Sequence, residues 1–184
     1  MSGGGLTLSA QTRMESTDTV PIAADLLSRV LEPYSYKGCR YLIDAEYSAT
    51  ADSILAYGNF AIDECAYIRD TGHFNAVELV LCFNQLVYSA YAQGIVNEDI
   101  SALRGWSIED YYQNQLPNIL IKSTSSRYKR QINPQKFSAC LHTHDLHVVE
   151  RTFRYLQLSN TIEFWDDNGG SATGNFEIAI LNIP

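Results

Sequence analysis

Ionisable side chains and a strongly apolar segment meet between Glu64 and Tyr91, where the chain reads ECAYIRDTGHFNAVELVLCFNQLVYSAY. A loop carrying Glu64, Cys65, Tyr67, Arg69, Asp70 and His73 runs directly into what the spacing predicts as a nearly all-apolar helix. At about 3.6 residues per turn, Asn75, Glu78, Cys82, Gln85 and Ser89 share one side of that helix. Asn84 projects from the other side, among Val77, Val80, Leu81, Tyr88 and Tyr91. A buried amide costs about 1–3 kcal/mol unless it is hydrogen-bonded. Asn84 is therefore either a core amide met by a neighbouring backbone group or hydroxyl, or a polar group that holds a substrate in an apolar tunnel.

The start of the helix is marked. Asn75 at the N-cap with Glu78 three residues on forms a capping box, and Phe74 before it can staple onto Leu79. Capping is a sufficient reason for both Asn75 and Glu78. The same arrangement aims the positive end of a buried helix at Gly72 and His73, where free N–H groups can polarise a carbonyl or hold an oxyanion. A thioester or other acyl group is the guest this geometry suits.

Other candidates are weaker. His142 and His144 share a strand face in CLHTHDLHVV, with His147 beyond, but no third ligand can be named and a solvated face is the better account. Metal is not expected. Cys39, Cys65, Cys82 and Cys140 lack paired spacing and read as reduced, buried small hydrophobes of a cytoplasmic protein. There is no serine elbow, supported Cys–His pair or glycine-rich phosphate loop.

The elements that must position these residues read as α+β. Residues 1–19 have the Gly, Ser and Thr content of a disordered leader, and 20–184 form a single domain. Pro21 opens a short helix that ends near Pro33, and two strand-like runs, CRYLIDAEYSA and SILAYGNFAI, follow it. After the long helix, Ser107 caps a short surface helix. The chain then turns to strands, with Asp167-Asn168-Gly169-Gly170 as a hairpin turn between the last two. One long apolar helix among five or six antiparallel strands predicts a hot-dog fold, an antiparallel sheet wrapped around a buried helix, with a second copy covering the helix's other side. No stretch approaches the roughly 20 apolar residues of a membrane span. A net charge of −8 speaks against nucleic acid, yet Lys122, Arg127, Lys129, Arg130 and Lys136 put five of the thirteen basic side chains into one short run. That run is a solvated loop or a docking patch for an acidic or phosphorylated partner.

The segments VLEPYSYKGCRYLIDAEYSAT, YIRDTGHFNAVELVLCFNQLVYSA, LRGWSIEDYY and NPQKFSA resemble the FcoT-type long-chain fatty acyl thioesterases of actinobacteria, collinearly from about Val20 to Pro184. That group includes (2E)-enoyl-ACP glycyltransferases of isonitrile lipopeptide biosynthesis. These add the amine of glycine to the β-carbon of an enoyl thioester and release a 3-(carboxymethylamino) fatty acid. The resemblance implies a hot-dog homodimer acting on an enoyl acyl carrier protein and glycine without a cofactor. It places the site at Tyr34, Tyr67 and Asn84. Tyr88, beside Asn84 on the helix, joins the substrate-binding candidates, and the basic run offers Arg127, Lys129 and Arg130 as a landing site for an acidic carrier. GHF is also similar to the GHFP segment of hot-dog hydroxyacyl-ACP dehydratases, which makes His73 a proton shuttle. Here Asn75 replaces the proline, and the dehydratase carboxylate is not at the same spacing. Lys37, Arg40, Arg69 and Arg104 are open choices for the glycine carboxylate. A plain acyl thioesterase and a non-catalytic acyl-binding protein remain the alternatives.

Overall fold

The apolar run after Asn75 becomes a 21-residue helix, Ala76–Val96. The structure, a computed structural model, describes residues 18–184. In chain order these form strand β1 (Val20–Pro21), helices α1 (Ala24–Val30) and α2 (Glu32–Tyr36), and strands β2 (Leu42–Ala49) and β3 (Ile54–Phe60). The long helix α3 (Ala76–Val96) and helix α4 (Ile108–Asn118) come next, then strands β4 (Ile119–Arg130), β5 (Phe137–Glu150), β6 (Arg154–Trp165) and β7 (Ser171–Leu181). All pairings are antiparallel, in one seven-stranded sheet ordered β1-β2-β3-β5-β6-β7-β4. The sheet wraps α3 in the hot-dog arrangement.

Alternation along the strands supplies the lining. On β7, Ala172, Gly174, Phe176, Ile178 and Ile180 are all buried, and the Phe176 ring stacks on Phe83 of α3 with centroids 3.6 Å apart. Gly174 is needed for this approach, because a Cβ there would lie 2.8 Å from the Phe176 ring and 3.3 Å from Leu79 Cδ2. Phe74, just before the helix, is seated among Phe137 at 4.7 Å and Phe164 at 5.0 Å. This aromatic seat fixes where α3 begins.

The orientation of α3 reverses the expected one. Its polar stripe faces inward, for Glu78, Cys82, Gln85 and Ser89 are all buried. Gln85, fully buried, accepts the N–H groups of Tyr41 at 2.8 Å and Leu42 at 2.9 Å and donates to the Cys39 carbonyl at 2.8 Å. Those backbone groups lie where the chain enters β2, beside a register shift between Leu42 and Asp44 that leaves the ladder irregular. Asn84 is only half-buried and makes no hydrogen bond among the described residues. Its neighbours Val80 and Leu81 are half-buried, and Val77 is 50% exposed. The out-of-place core amide is therefore Gln85, and the apolar stripe is open over Val77, Val80 and Leu81 but buried at Tyr88 and Tyr91.

Further differences have local causes. Pro21 lies in β1, and Pro33 opens α2 at its first turn, where a missing N–H costs nothing, instead of ending the preceding helix. Strand β4 extends through the basic run as an exposed sheet edge, which charged side chains protect from further pairing. Contrary to the expectation that no stretch approaches a membrane span, α3 is long and apolar enough to cross one by length and composition, although most of it is buried within the sheet. Of the predicted leader, residues 1–17 lie outside the described residues, while the Thr19 hydroxyl already donates to the Glu46 carboxylate.

Candidate active site

The capping box forms as the sequence predicts and carries an additional partner. Asn75 Oδ1 accepts the N–H groups of Val77 at 2.9 Å and Glu78 at 3.3 Å, while Glu78 Oε2 accepts the Asn75 N–H at 3.0 Å. The Tyr67 hydroxyl, arriving from the loop, donates to the same Asn75 oxygen at 2.8 Å. Two of the first helical N–H groups are thus occupied by the cap, so only Ala76 N–H remains without an acceptor among the described residues. The dipole at this end persists.

Tyr67 is 41% exposed and sits at the mouth of this cluster. Partial burial, a hydrogen bond with Cys65 and the nearby Glu78 charge push its hydroxyl up to about 12, against the opposing Asn75 bond. Tyr128, from β4, stacks obliquely near Phe74 with centroids 6.5 Å apart. Burial and then the charges of Glu78, Cys82 and Tyr67 hold its hydroxyl well above the usual phenol value. Sequence reasoning missed Tyr128. Read as a strand, SSRYKR would have put this aromatic on the opposite face from Arg127 and Lys129.

A second tyrosine pair lies farther along the helix. Tyr34 is raised by burial and then by Tyr88, Cys39 and Cys82, which places these groups around one another, and burial also raises Tyr88. Cys82 is pushed well up by burial and by Glu78 and stays a thiol. Asn84 is nine residues past the N-cap, about 13 Å along the axis at ~1.5 Å per residue, and on a different face from Glu78. No hydrogen bond joins it to Tyr34, Tyr67 or Glu78 among the described residues.

His73 is held by its own loop. Its Nδ1 lies 3.1 Å from the Thr71 carbonyl, and the Thr71 hydroxyl donates to the His73 carbonyl at 2.9 Å. A carbonyl opposite Nδ1 assigns the proton to that nitrogen in the neutral ring, leaving Nε2 as the acceptor. The loop itself is tied at both ends to one short segment. Ile62 N–H donates to the Pro134 carbonyl at 2.8 Å and Phe74 N–H to the Ile132 carbonyl at 3.2 Å. Asn133 N–H, between them, donates to Asp166 at 2.7 Å. Burial alone would raise the Asp166 carboxyl, but the N–H groups of Asn133, Gly170 and Asn168, together with Arg130, outweigh it and hold the group below the usual carboxylate value.

Several of the basic residues already have partners. Lys136 pairs with Asp167 at 2.7 Å, Lys122 donates to Gln157 at 2.6 Å, and Arg130 lies against the Gly169 turn near Asp166. Arg127 and Lys129 remain exposed on β4. Among the described residues no group of three His, Cys, Asp or Glu could hold a metal, although the His142 and His144 rings lie 5.1 Å apart.

The chain is 66% identical over 171 residues to a (2E)-enoyl-[ACP] glycyltransferase of Mycobacterium bovis, covering 93% of each chain. It is 62% identical to one from Mycobacterium marinum over the full length of both, and 33% identical over 163 residues to one from Streptomyces coeruleorubidus, covering 86% of this chain and 97% of that one. Among solved structures it is similar to a putative thioesterase of Shewanella oneidensis, at 7% identity and a TM-score of 0.49, covering 86% of this chain and 99% of that one. A family model for the FcoT-like thioesterase domain matches residues 29–180, and the chain belongs to that family.

Proposed function

We propose that the protein adds the amine of glycine to the β-carbon of a (2E)-enoyl-ACP thioester and then hydrolyses the thioester, releasing a 3-(carboxymethylamino) fatty acid. The observation that carries this reading is the 62–66% identity, over 93–100% of the chain, to relatives named as glycyltransferases of that substrate. The geometry supports it. A helix start ringed by Tyr67, Asn75, Glu78 and Tyr128 supplies hydrogen bonds and a favourable dipole to an enolate forming at a thioester oxygen, and Tyr34 and Tyr88 line the way for the acyl chain. His73 Nε2 stands ready to exchange a proton at the rim. A second copy of the chain covers the open Val77, Val80, Leu81 and Asn84 stripe and completes the acyl tunnel.

Incubating the protein with glycine and an enoyl-ACP tests this directly. The released acid is expected to be heavier than the parent acid by one glycine, and an unshifted mass would reject the reading. A second reading, hydrolysis with water as the only nucleophile, is favoured by the description of the family model. Fast, glycine-independent hydrolysis of saturated long-chain thioesters would support it instead.

The carrier is expected to dock at Arg127 and Lys129, two of the exposed cations of β4. Reversing both to Glu should raise the apparent KM for acyl-ACP by about tenfold and flatten its salt dependence. A short acyl-pantetheine substrate, lacking the carrier, should be nearly unaffected. Equal losses on both substrates would place these residues in the site itself.

A further inference from the structure

Glu78 is buried to an unusual degree for a carboxylate, with 2% of its surface exposed, and only half of it is satisfied. Oε2 takes the Asn75 N–H, while no donor reaches Oε1 among the described residues. A charge so enclosed costs several kcal/mol unless something meets it. The helix dipole offsets part of that cost. The remaining lobe suits a ligand carrying a positive charge and a removable proton, and the ammonium of glycine is such a group.

His73 is bonded within its own loop to Thr71 and makes no hydrogen bond to Tyr67, Asn75 or Glu78 among the described residues, so it serves the rim, and the members of the cluster other than Glu78 are poor proton acceptors. Asn75 does not titrate, and its oxygen already serves Val77, Glu78 and Tyr67. The hydroxyls of Tyr34, Tyr67, Tyr88 and Tyr128 and the thiol of Cys82 are all held in their protonated forms by burial and neighbouring charge. They can donate hydrogen bonds to a forming enolate but not remove a proton from an amine.

We propose that Glu78 is the catalytic base of the addition and that it returns the same proton to carbon. The inference rests on the glycine-adding reading. Oε1 takes one proton from the glycine ammonium, and the freed nitrogen lone pair forms the bond to the β-carbon. The π electrons of the double bond move towards the thioester, giving an enolate. Glu78 then delivers its proton to the α-carbon as the enolate collapses. The nitrogen, left with two hydrogens and its new carbon, ends as a secondary ammonium, so charge and atoms balance without another reagent. Because one side chain serves both ends of the former double bond, nitrogen and hydrogen add to the same face.

Two variants and one stereochemical measurement test this. Glu78→Gln keeps the length and the oxygen that accepts the Asn75 N–H, and Gln is a normal partner in a capping box. Glu78→Asp keeps the charge, and Asp110 closing the box with Ser107 shows that this chain accepts the shorter acid at that position. The Gln variant should melt near the parent temperature yet lose about 10²–10⁴-fold in kcat for glycine addition, the range for a general base. The Asp variant should retain more activity than Gln. A role confined to capping predicts the reverse order. In D2O the parent enzyme should place one deuterium at the α-carbon on the same face as the new nitrogen. Glycine addition by the Gln variant within threefold of the parent, or addition to opposite faces, would overturn the role of Glu78 while leaving the glycine reading intact. Failure of the parent to add glycine at all would remove both.

Discussion

Gln85→Leu is expected to destabilise the protein by about 4 kcal/mol, as the volume is kept while two buried N–H groups and one carbonyl lose their partners at ~1–3 kcal/mol each. At roughly 2–4 °C per kcal/mol for a domain of this size, the melting temperature should fall by about 8–16 °C. The urea midpoint should fall with little change in slope, as for a loss of stability without a change in the surface exposed. A loss below about 1 kcal/mol would mean that water reaches the Cys39–Leu42 backbone once the amide is gone. Activity per folded molecule should change much less, since the Gln85 side chain bonds to the Cys39–Leu42 backbone and lies about two turns along the helix from Glu78.

Asn84→Leu is expected to do the opposite. Asn84 is half-buried and has no hydrogen-bond partner among the described residues, so replacing it with an apolar side chain of similar size leaves no orphaned group behind. Stability should stay within about 0.5 kcal/mol, since no side-chain hydrogen bond among the described residues is broken and the volume is kept. If Asn84 contacts the thioester, kcat/KM for the enoyl-ACP should fall by roughly ten- to a thousand-fold, the range for one well-placed polar contact in a transition state. Measuring melting temperature and kcat/KM on the same preparation separates the two effects. A kcat/KM within threefold of the parent would dismiss Asn84 from the reaction.

These two neighbours show what the sequence could and could not convey. Local signals were legible: the N-A-V-E spacing located the helix start to the residue, and the Asp-Asn-Gly-Gly turn located the last hairpin. The helix face was not. A wheel separates polar from apolar stripes but does not say which is covered, and here the polar stripe is needed inside because the entry to β2 leaves backbone donors that no strand satisfies. Unpaired backbone is a property of register, and register is invisible in a list of side chains. The basic strand was hidden for a related reason. An edge strand has no second neighbour to bury it, so β4 shows the composition of a loop, and Tyr128 was overlooked with it. The Tyr67–Asn75 contact was out of reach as well, because it depends on how an irregular loop folds back.

That loop is attached in a way that bears on turnover. Both of its ends are stitched to Ile132–Pro134, and Asp166, just past the end of the neighbouring strand β6, grips the middle of that stitch. The span between the ends is therefore settled before any substrate arrives, and loop closure carries only the internal freedom of the intervening residues. Gate and hinge post are separate objects. Tyr67 can swing away from Asn75 to admit a pantetheine arm while Phe74 stays seated and the first turn of the helix stays wound. The seat of Phe74 and the first turn of the helix are thus anchored apart from the stretch of loop that carries Tyr67.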